Sequence, residues 1–257
     1  MSLKFELDNW VISRLSEPFP EEDVRWLPAY GAGGKGALAY VDARTVANRL
    51  NEVVGAENWH DSYTESTIVH TEIRDVTDVD ALPDERVNRT KYKTTPKFDR
   101  DKQFLYHDLK YGGIRCNLTV LGVTKSDVGV PSFAEQLKGA YSDALKRAAV
   151  KFGIGEYFYR LGTLDAVVDY GRVTVPPELP DWALPIERPD PNPIIEDTIE
   201  KVRSTSLPGE LSVRADEAIG AAFSMGRYNP DTPLIVKRAV YEELLRILKE
   251  AESLDDK

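Results

Sequence analysis

Four basic side chains, Lys138, Lys146, Arg147 and Lys151, stand among apolar residues between Ser132 and Gly155. Lysine and arginine at such positions can neutralise an extended anion, above all a phosphate backbone. Arg44 sits at the start of another amphipathic stretch, and Lys35 lies in a glycine-rich loop where a phosphate can approach. Arg44, Lys138, Lys146, Arg147 and Lys151 can together line a groove. Tyr92, Phe98, Phe104, Tyr106 and Tyr111 accompany a second basic run, Arg86 to Lys102, which has seven basic residues and two acidic ones. Cations with aromatic faces nearby are what sequence-independent binding of a single strand requires. The plain alternative is a solvated helix face and half-buried strand tyrosines.

Other chemistries find less support. Gly31, Gly33 and Gly36 have the spacing of a dinucleotide fingerprint, but that loop must lead into a helix N-terminus, and here a strand is expected to follow. His60, His70 and His107 are too far apart for a helical metal pair, and the first two lack a third ligand. No serine has the glycine-flanked setting of a nucleophile elbow. Cys116 is the single cysteine; within a strand it reads as a small buried hydrophobe. The expectation is a protein without catalysis, metal or nucleotide cofactor.

The elements that must position these cations are marked by spacing. Phe133, Leu137, Ala140, Tyr141, Ala144, Leu145, Ala148 and Phe152 form the 3.6-residue stripe of a helix pressed on a core. Ser132 and Glu135 give it a capping box, and Gly153 and Gly155 close it. Lys4 to Leu15 reads as a first helix, ended by Pro18 to Pro20. Arg25–Tyr30 and Ala37–Val41 read as a hairpin, followed by a helix over Ala43–Val54 that Asp42 caps and Gly55 stops. Strands are expected at Trp59–Ile73 and Ile114–Val123. The polar stretch Asp75 to Lys110 between them reads as an extended hairpin tip or a disordered insertion.

Prolines at 176, 177, 180, 185, 189, 191 and 193 suggest a stiff linker, and Ile194–Val202, Val213–Met225 and Leu234–Leu248 have helical spacing. The expected organisation is a core over 1–175 with an insertion at 75–110, a linker at 176–193 and an acidic helical appendage at 194–257. The formal charge of the 257 residues is −10, but it is uneven. After Val175 there are 17 Asp and Glu against 10 Lys and Arg, and before it 26 against 23. Local positive patches are therefore compatible with net acidity. No apolar run is long enough for a membrane span, and the expectation is a cytoplasmic protein.

Two stretches carry a resemblance. One is Leu38-Ala39-Tyr40-Val41-Asp42-Ala43-Arg44, running on to Asn51-Glu52 and Gly55. The other is Leu118-Thr119-Val120-Leu121-Gly122-Val123, followed by Ser142-Asp143-Ala144-Leu145-Lys146-Arg147-Ala148 and Phe152-Gly153-Ile154-Gly155. In that order they resemble the Rad fifty-two family of single-strand annealing proteins, and Pro176-Pro177-Glu178-Leu179-Pro180 resembles its bacterial branch of DNA damage response proteins. The resemblance covers Trp26 to Pro180. It implies an α+β core, an antiparallel sheet packed on a long basic helix, that assembles into closed rings. It also implies single-stranded DNA in a basic groove, with Lys146 and Arg147 lining it, and no catalytic centre. The chain has Val150, with Lys151 beside it, where eukaryotic members carry a third basic residue. It has Thr45, with Arg44 one place earlier, where they carry a groove arginine.

The reading is a non-enzymatic, ring-forming protein of the nucleoid that binds single-stranded DNA, anneals strands and protects ends in repair and recombination. One rival is a scaffold whose acidic C-terminal region recruits repair proteins. The other is a metal-dependent nuclease, which would need a carboxylate cluster that the sequence does not display.

Overall fold

The computed structural model describes residues 5–29, 35–75, 96–99, 104–130, 136–224 and 227–255. The chain divides into two compact units. One comprises Met1–His60, Thr119–Lys125 and Ala149–Lys257, the other Asp61–Leu118 and Ser126–Ala148.

In the first unit, helix α1 spans Asn9–Leu15 and starts where the Asp8 carboxylate accepts from the Val11 N–H at 2.9 Å. The helix expected from Lys4 is thus shorter, because Asp8 takes up an orphan donor and leaves Phe5 and Leu7 outside. Strands β1 (Arg25–Pro28) and β2 (Gly36–Tyr40) pair antiparallel, with Arg25 opposite Tyr40 and Leu27 opposite Leu38. Their hairpin is the expected one, and Gly31, Gly33 and Tyr30 lie outside the described residues. A strand, not a helix, follows the glycine loop, so the N-terminal dipole that phosphate would need is not supplied there.

Helix α2 (Ala43–Val54) has the expected bounds. The Asp42 carboxylate accepts from the Thr45 N–H at 2.8 Å, and Gly55 ends the helix with φ +88°, a left-handed conformation that suits glycine. Val46, Leu50, Val53 and Val54 are buried. Arg49 is buried with them, at 8% exposure. It donates to the carbonyls of Arg14, Glu17 and Pro18, with the Glu17 bond at 2.6 Å, and its guanidinium lies 4.3 Å from the Phe19 ring centroid. The turn after α1 is thereby tied to α2.

In the second unit, strand β3 (Trp59–Asp75) pairs with β5 (Phe104–Val120), which also pairs with β4 (Pro96–Asp99) and β6 (Val123–Gly129). β3 and β5 begin or end in the first unit. Strand structure extends into the stretch expected to be a polar insertion: Pro96 lies opposite His107 and Asp99 opposite Phe104. Residues 76–95 and 100–103 lie outside the described residues. Ile114, Cys116, Leu118 and Val120 are buried in alternation, the period-two signature of a half-buried strand. Cys116 is the buried hydrophobe expected; burial pushes its thiol up to about 11, with nearby Asp61 adding to the rise.

Helix α3 spans Gln136–Val150. Ser132 and Glu135 lie outside the described residues, and the helix stops before Lys151 rather than running to Gly155. Gly153 and Gly155 take φ of +92° and +71° in the turns that follow, leading into α4 (Tyr157–Leu161). Ala140, Ala144, Leu145 and Ala148 are buried as expected, and Ala149 is buried beside them, but Leu137 is 58% and Tyr141 39% exposed. The apolar stripe is covered only from its second turn on.

The first unit also holds β7 (Thr163–Asp165) beside β2, the hairpin of β8 (Val167–Asp169) and β9 (Arg172–Val175), and a two-stranded pair of Phe223–Ser224 with Arg227–Tyr228. Within the stretch expected as a linker, Leu179 and Ala183 are buried, and Arg188 bridges to Glu17 at 2.8 Å. Helices α5 (Pro191–Ser204), α6 (Gly209–Ala222) and α7 (Leu234–Asp255) share a core of Ile195, Ile199, Leu211, Ile219, Leu244 and Ile247. They belong to the same unit as residues 1–60, and α7 packs on α2. Among the described residues no helix is long and apolar enough to cross a membrane.

Candidate nucleic-acid interface

Of the candidate cations, Lys138, Lys146 and Arg147 belong to α3 within the second unit. Lys138 and Arg147 are exposed, and Lys146 is half-buried. An α-helix turns about 100° per residue, so Lys146 lies across the helix from the buried Ala144 and Ala148 row, while Arg147 sits on its flank. Nine positions separate Lys138 from Arg147, which turns them to roughly opposite sides. The helix therefore does not gather its three cations into one row. The charge types are legible in sequence, but the angle between them decides what a ligand meets.

Strand β6 runs along α3, and its first contribution is steric. A Cβ added at Gly129 would meet the Ala140 carbonyl and the Ala144 N–H, so strand and helix backbones approach there as only glycine permits. Further along, Arg147 donates through Nε to Asp127 Oδ1 at 3.2 Å. Asp127 was not among the sequence candidates; 20 positions separate it from Arg147, and only the strand's placement brings them together.

Lys151 belongs to the first unit and is exposed. Its carbonyl accepts from the Lys125 ammonium, which also lies 4.6 Å from the Phe152 ring centroid. Lys125 thus neutralises the carbonyl end that follows α3, the usual place for a cation on a helix dipole. Arg44 is exposed in the first turn of α2 beside Asp42. The Asp42 carboxyl is held below its ordinary value, chiefly by the Thr45 N–H, with the Arg44 charge helping. Lys35 is exposed, and its carbonyl accepts from the Ala166 N–H at 3.0 Å. Lys35 lines an open cleft with Asp165, Val167, Val175 and Pro176, so an acid shares its surroundings.

A basic residue the sequence reading passed over is Arg115, exposed on the outward face of β5 next to Asn117. Across that face Ser126 donates to Asn117 at 2.7 Å, and Asn117 donates to Ser62 at 3.4 Å. The alternation of Ile114, Cys116 and Leu118 was the signal that Arg115 points outward. Among the described residues no group of three or more His, Cys, Asp or Glu is placed to hold a metal ion. His70 and His107 have side chains outside the described set, and His60 is exposed.

A family model described as the Rad52/22 family double-strand break repair protein matches residues 9–173. The chain belongs to the Rad52/22 family. The match begins before Trp26 and so takes in α1, which the sequence resemblance did not. Two curated relatives bear the name single-stranded DNA-binding protein DdrA. The one from Deinococcus deserti is 34% identical over 182 residues, covering 68% of this chain and 70% of the relative. The one from Deinococcus radiodurans is 31% identical over 228 residues, covering 86% and 89%. The mixed α/β fold with antiparallel sheets accords with Rad52/22 membership.

Proposed function

We propose that this protein is a non-enzymatic single-stranded DNA-binding protein of DNA repair, and that it anneals complementary strands and protects ends as a closed homo-oligomeric ring in the cytoplasm, at the nucleoid. Family membership with two relatives named for single-stranded DNA binding is the observation that carries the reading. Lys146 and Arg147 are its central contacts, and Arg44, Lys138, Lys151 and Lys35 are further basic contacts. Binding is electrostatic: cations hold the phosphates and release their counterions, leaving bases to test a second strand. No metal or nucleotide takes part. Repetition around a ring multiplies weak contacts through effective concentration.

The test is fluorescence anisotropy of a labelled oligonucleotide beside size-exclusion chromatography, comparing wild type with a Lys146→Ala, Arg147→Ala double variant. The double variant is expected to bind severely more weakly at an unchanged elution volume. Wild-type affinity in that variant overturns the groove assignment. Metal-dependent cleavage of the oligonucleotide would instead make the protein a nuclease, and a wild type that binds no DNA would favour a scaffold that works through its acidic C-terminal region.

A further inference from the structure

The geometry points to Asp127 as the residue that positions Arg147 for phosphate. This rests on the reading that Arg147 meets DNA, and it adds a role for an acid that a search for cations passes over.

Arg147 projects from the flank of α3 with its side chain 45% exposed, so its long stem would sample many rotamers if nothing held it. Asp127 holds it. The carboxylate oxygen that receives Nε at 3.2 Å also accepts the Val128 N–H of its own strand at 2.7 Å, which anchors the acceptor to β6. Bonding through Nε commits one edge of the planar guanidinium and leaves donors on its other edge for a second oxygen anion. Asp143, one helical turn before Arg147, makes no hydrogen bond or ion pair with it, so the strand and not the helix sets the guanidinium's direction.

Two effects of Asp127 oppose each other. Its charge repels an incoming phosphate, and its bond pre-pays the ordering of the arginine that receives the phosphate. The carboxylate is partly exposed and already faces a cation, so the guanidinium it holds and the surrounding water offset most of its repulsion. The ordering of a long, rotamer-rich side chain is a cost met at every contact. Positioning therefore outweighs repulsion, which gives a sign that simple electrostatics does not.

Asp127→Ala removes a negative charge and should nevertheless weaken binding to a single-stranded oligonucleotide by about three- to tenfold. The dependence of log K on log salt should stay unchanged, because Arg147 keeps its charge. Asp127→Asn keeps an acceptor for Nε and should bind at least as tightly as wild type. Asp143→Ala supplies the electrostatic baseline and should bind equally or more tightly. Arg147→Ala should weaken binding and reduce the salt slope by about 0.7. Circular dichroism melts and elution volumes confirm that each variant is folded. Asp127→Ala binding as tightly as wild type, or Asp127→Asn as weakly as Asp127→Ala, overturns the role. If the Lys146→Ala, Arg147→Ala variant binds like wild type, the DNA contact itself fails, and the two failures are told apart.

Discussion

Arg238 of α7 donates through Nη1 to Asp8 at 2.8 Å, and Asp8 is the same carboxylate that caps α1. Its guanidinium also lies 4.8 Å from the Trp10 ring centroid and bonds Glu242 through Nε at 2.8 Å. A helix near the end of the chain therefore holds the first helix by its N-terminus.

Replacing Asp8 separates cap from ion pair. Asp8→Ala should lower stability by about 1 kcal/mol through loss of the cap, and Asp8→Asn by only a few tenths, since the amide still caps and the exposed pair is worth little. The Asp8 carboxyl lies below its ordinary value of 3.8, chiefly because of the Val11 N–H, with Arg238 assisting against the cost of burial. A depressed folded pKa means the contribution is complete above the ordinary value and lost as pH falls through the lowered one. In urea melts the gap between wild type and Asp8→Asn should thus be full at pH 7 and close below about pH 4.

Arg49 should resist conservative replacement. Its bonds to three carbonyls and its place over Phe19 use the planar fork of a guanidinium, which lysine does not have. Both Arg49→Ala and Arg49→Lys should cost roughly 2–4 kcal/mol in denaturant unfolding, because carbonyls that were paired become buried without partners. A Lys variant as stable as wild type would show that charge alone suffices.

Gly129→Val should be among the most damaging substitutions in β6, at about 1–3 kcal/mol or more, since the Ala140 and Ala144 backbone occupies the space a side chain needs. Thermal melts check this. Gly122 makes the comparison: no heavy atom lies within 4 Å of a Cβ added there, and its φ of +80° is the obstacle instead.

Tyr170 should be improvable. It turns the β8–β9 hairpin with φ +46° and is 97% exposed, so it carries left-handed strain without burial to offset it. Tyr170→Asn should raise stability by about 0.5–1 kcal/mol, as asparagine suits the turn position before Gly171. A loss of stability would mean that the tyrosine makes a stabilising contact.

What was legible in the sequence were features with local causes. Asp42 and Gly55 fix both ends of α2 because a cap and a left-handed glycine act within a few residues of themselves. The start of α1 is not legible from spacing, since Phe5 and Leu7 continue the apolar pattern while Asp8 ends it by accepting from the Val11 N–H. Composition makes the stretch 176–193 look like a stiff linker, yet it holds a 3-10 turn at Asp181–Ala183, gives Pro191 and Pro193 to the first turn of α5 and buries Leu179 and Ala183, and such docking is a tertiary matter that composition does not encode. The pairings of Arg147 with Asp127 and Lys125 with the Lys151 carbonyl have no sequence signature. They depend on the course of β6 beside α3, set by the small residues at Gly129, Ala140 and Ala144.

Several of the chain's cations are turned inward. Arg49 serves the Glu17 carbonyl and Lys237 that of Pro230, Lys125 serves the carbonyl of Lys151, and Arg214 and Arg238 serve the carboxylates of Glu243, Glu250, Asp8 and Glu242. Arg49 and Lys237 are only 8% and 7% exposed, so their positive charge scarcely reaches solvent. The net charge stays at −10, but these cations are engaged by internal partners and are withdrawn from the surface that a polyanion can touch. The net acidic field repels polyanions from most of the surface and leaves few places where one can settle, so the acidity of this protein acts as a filter on where along it a charged polymer comes to rest.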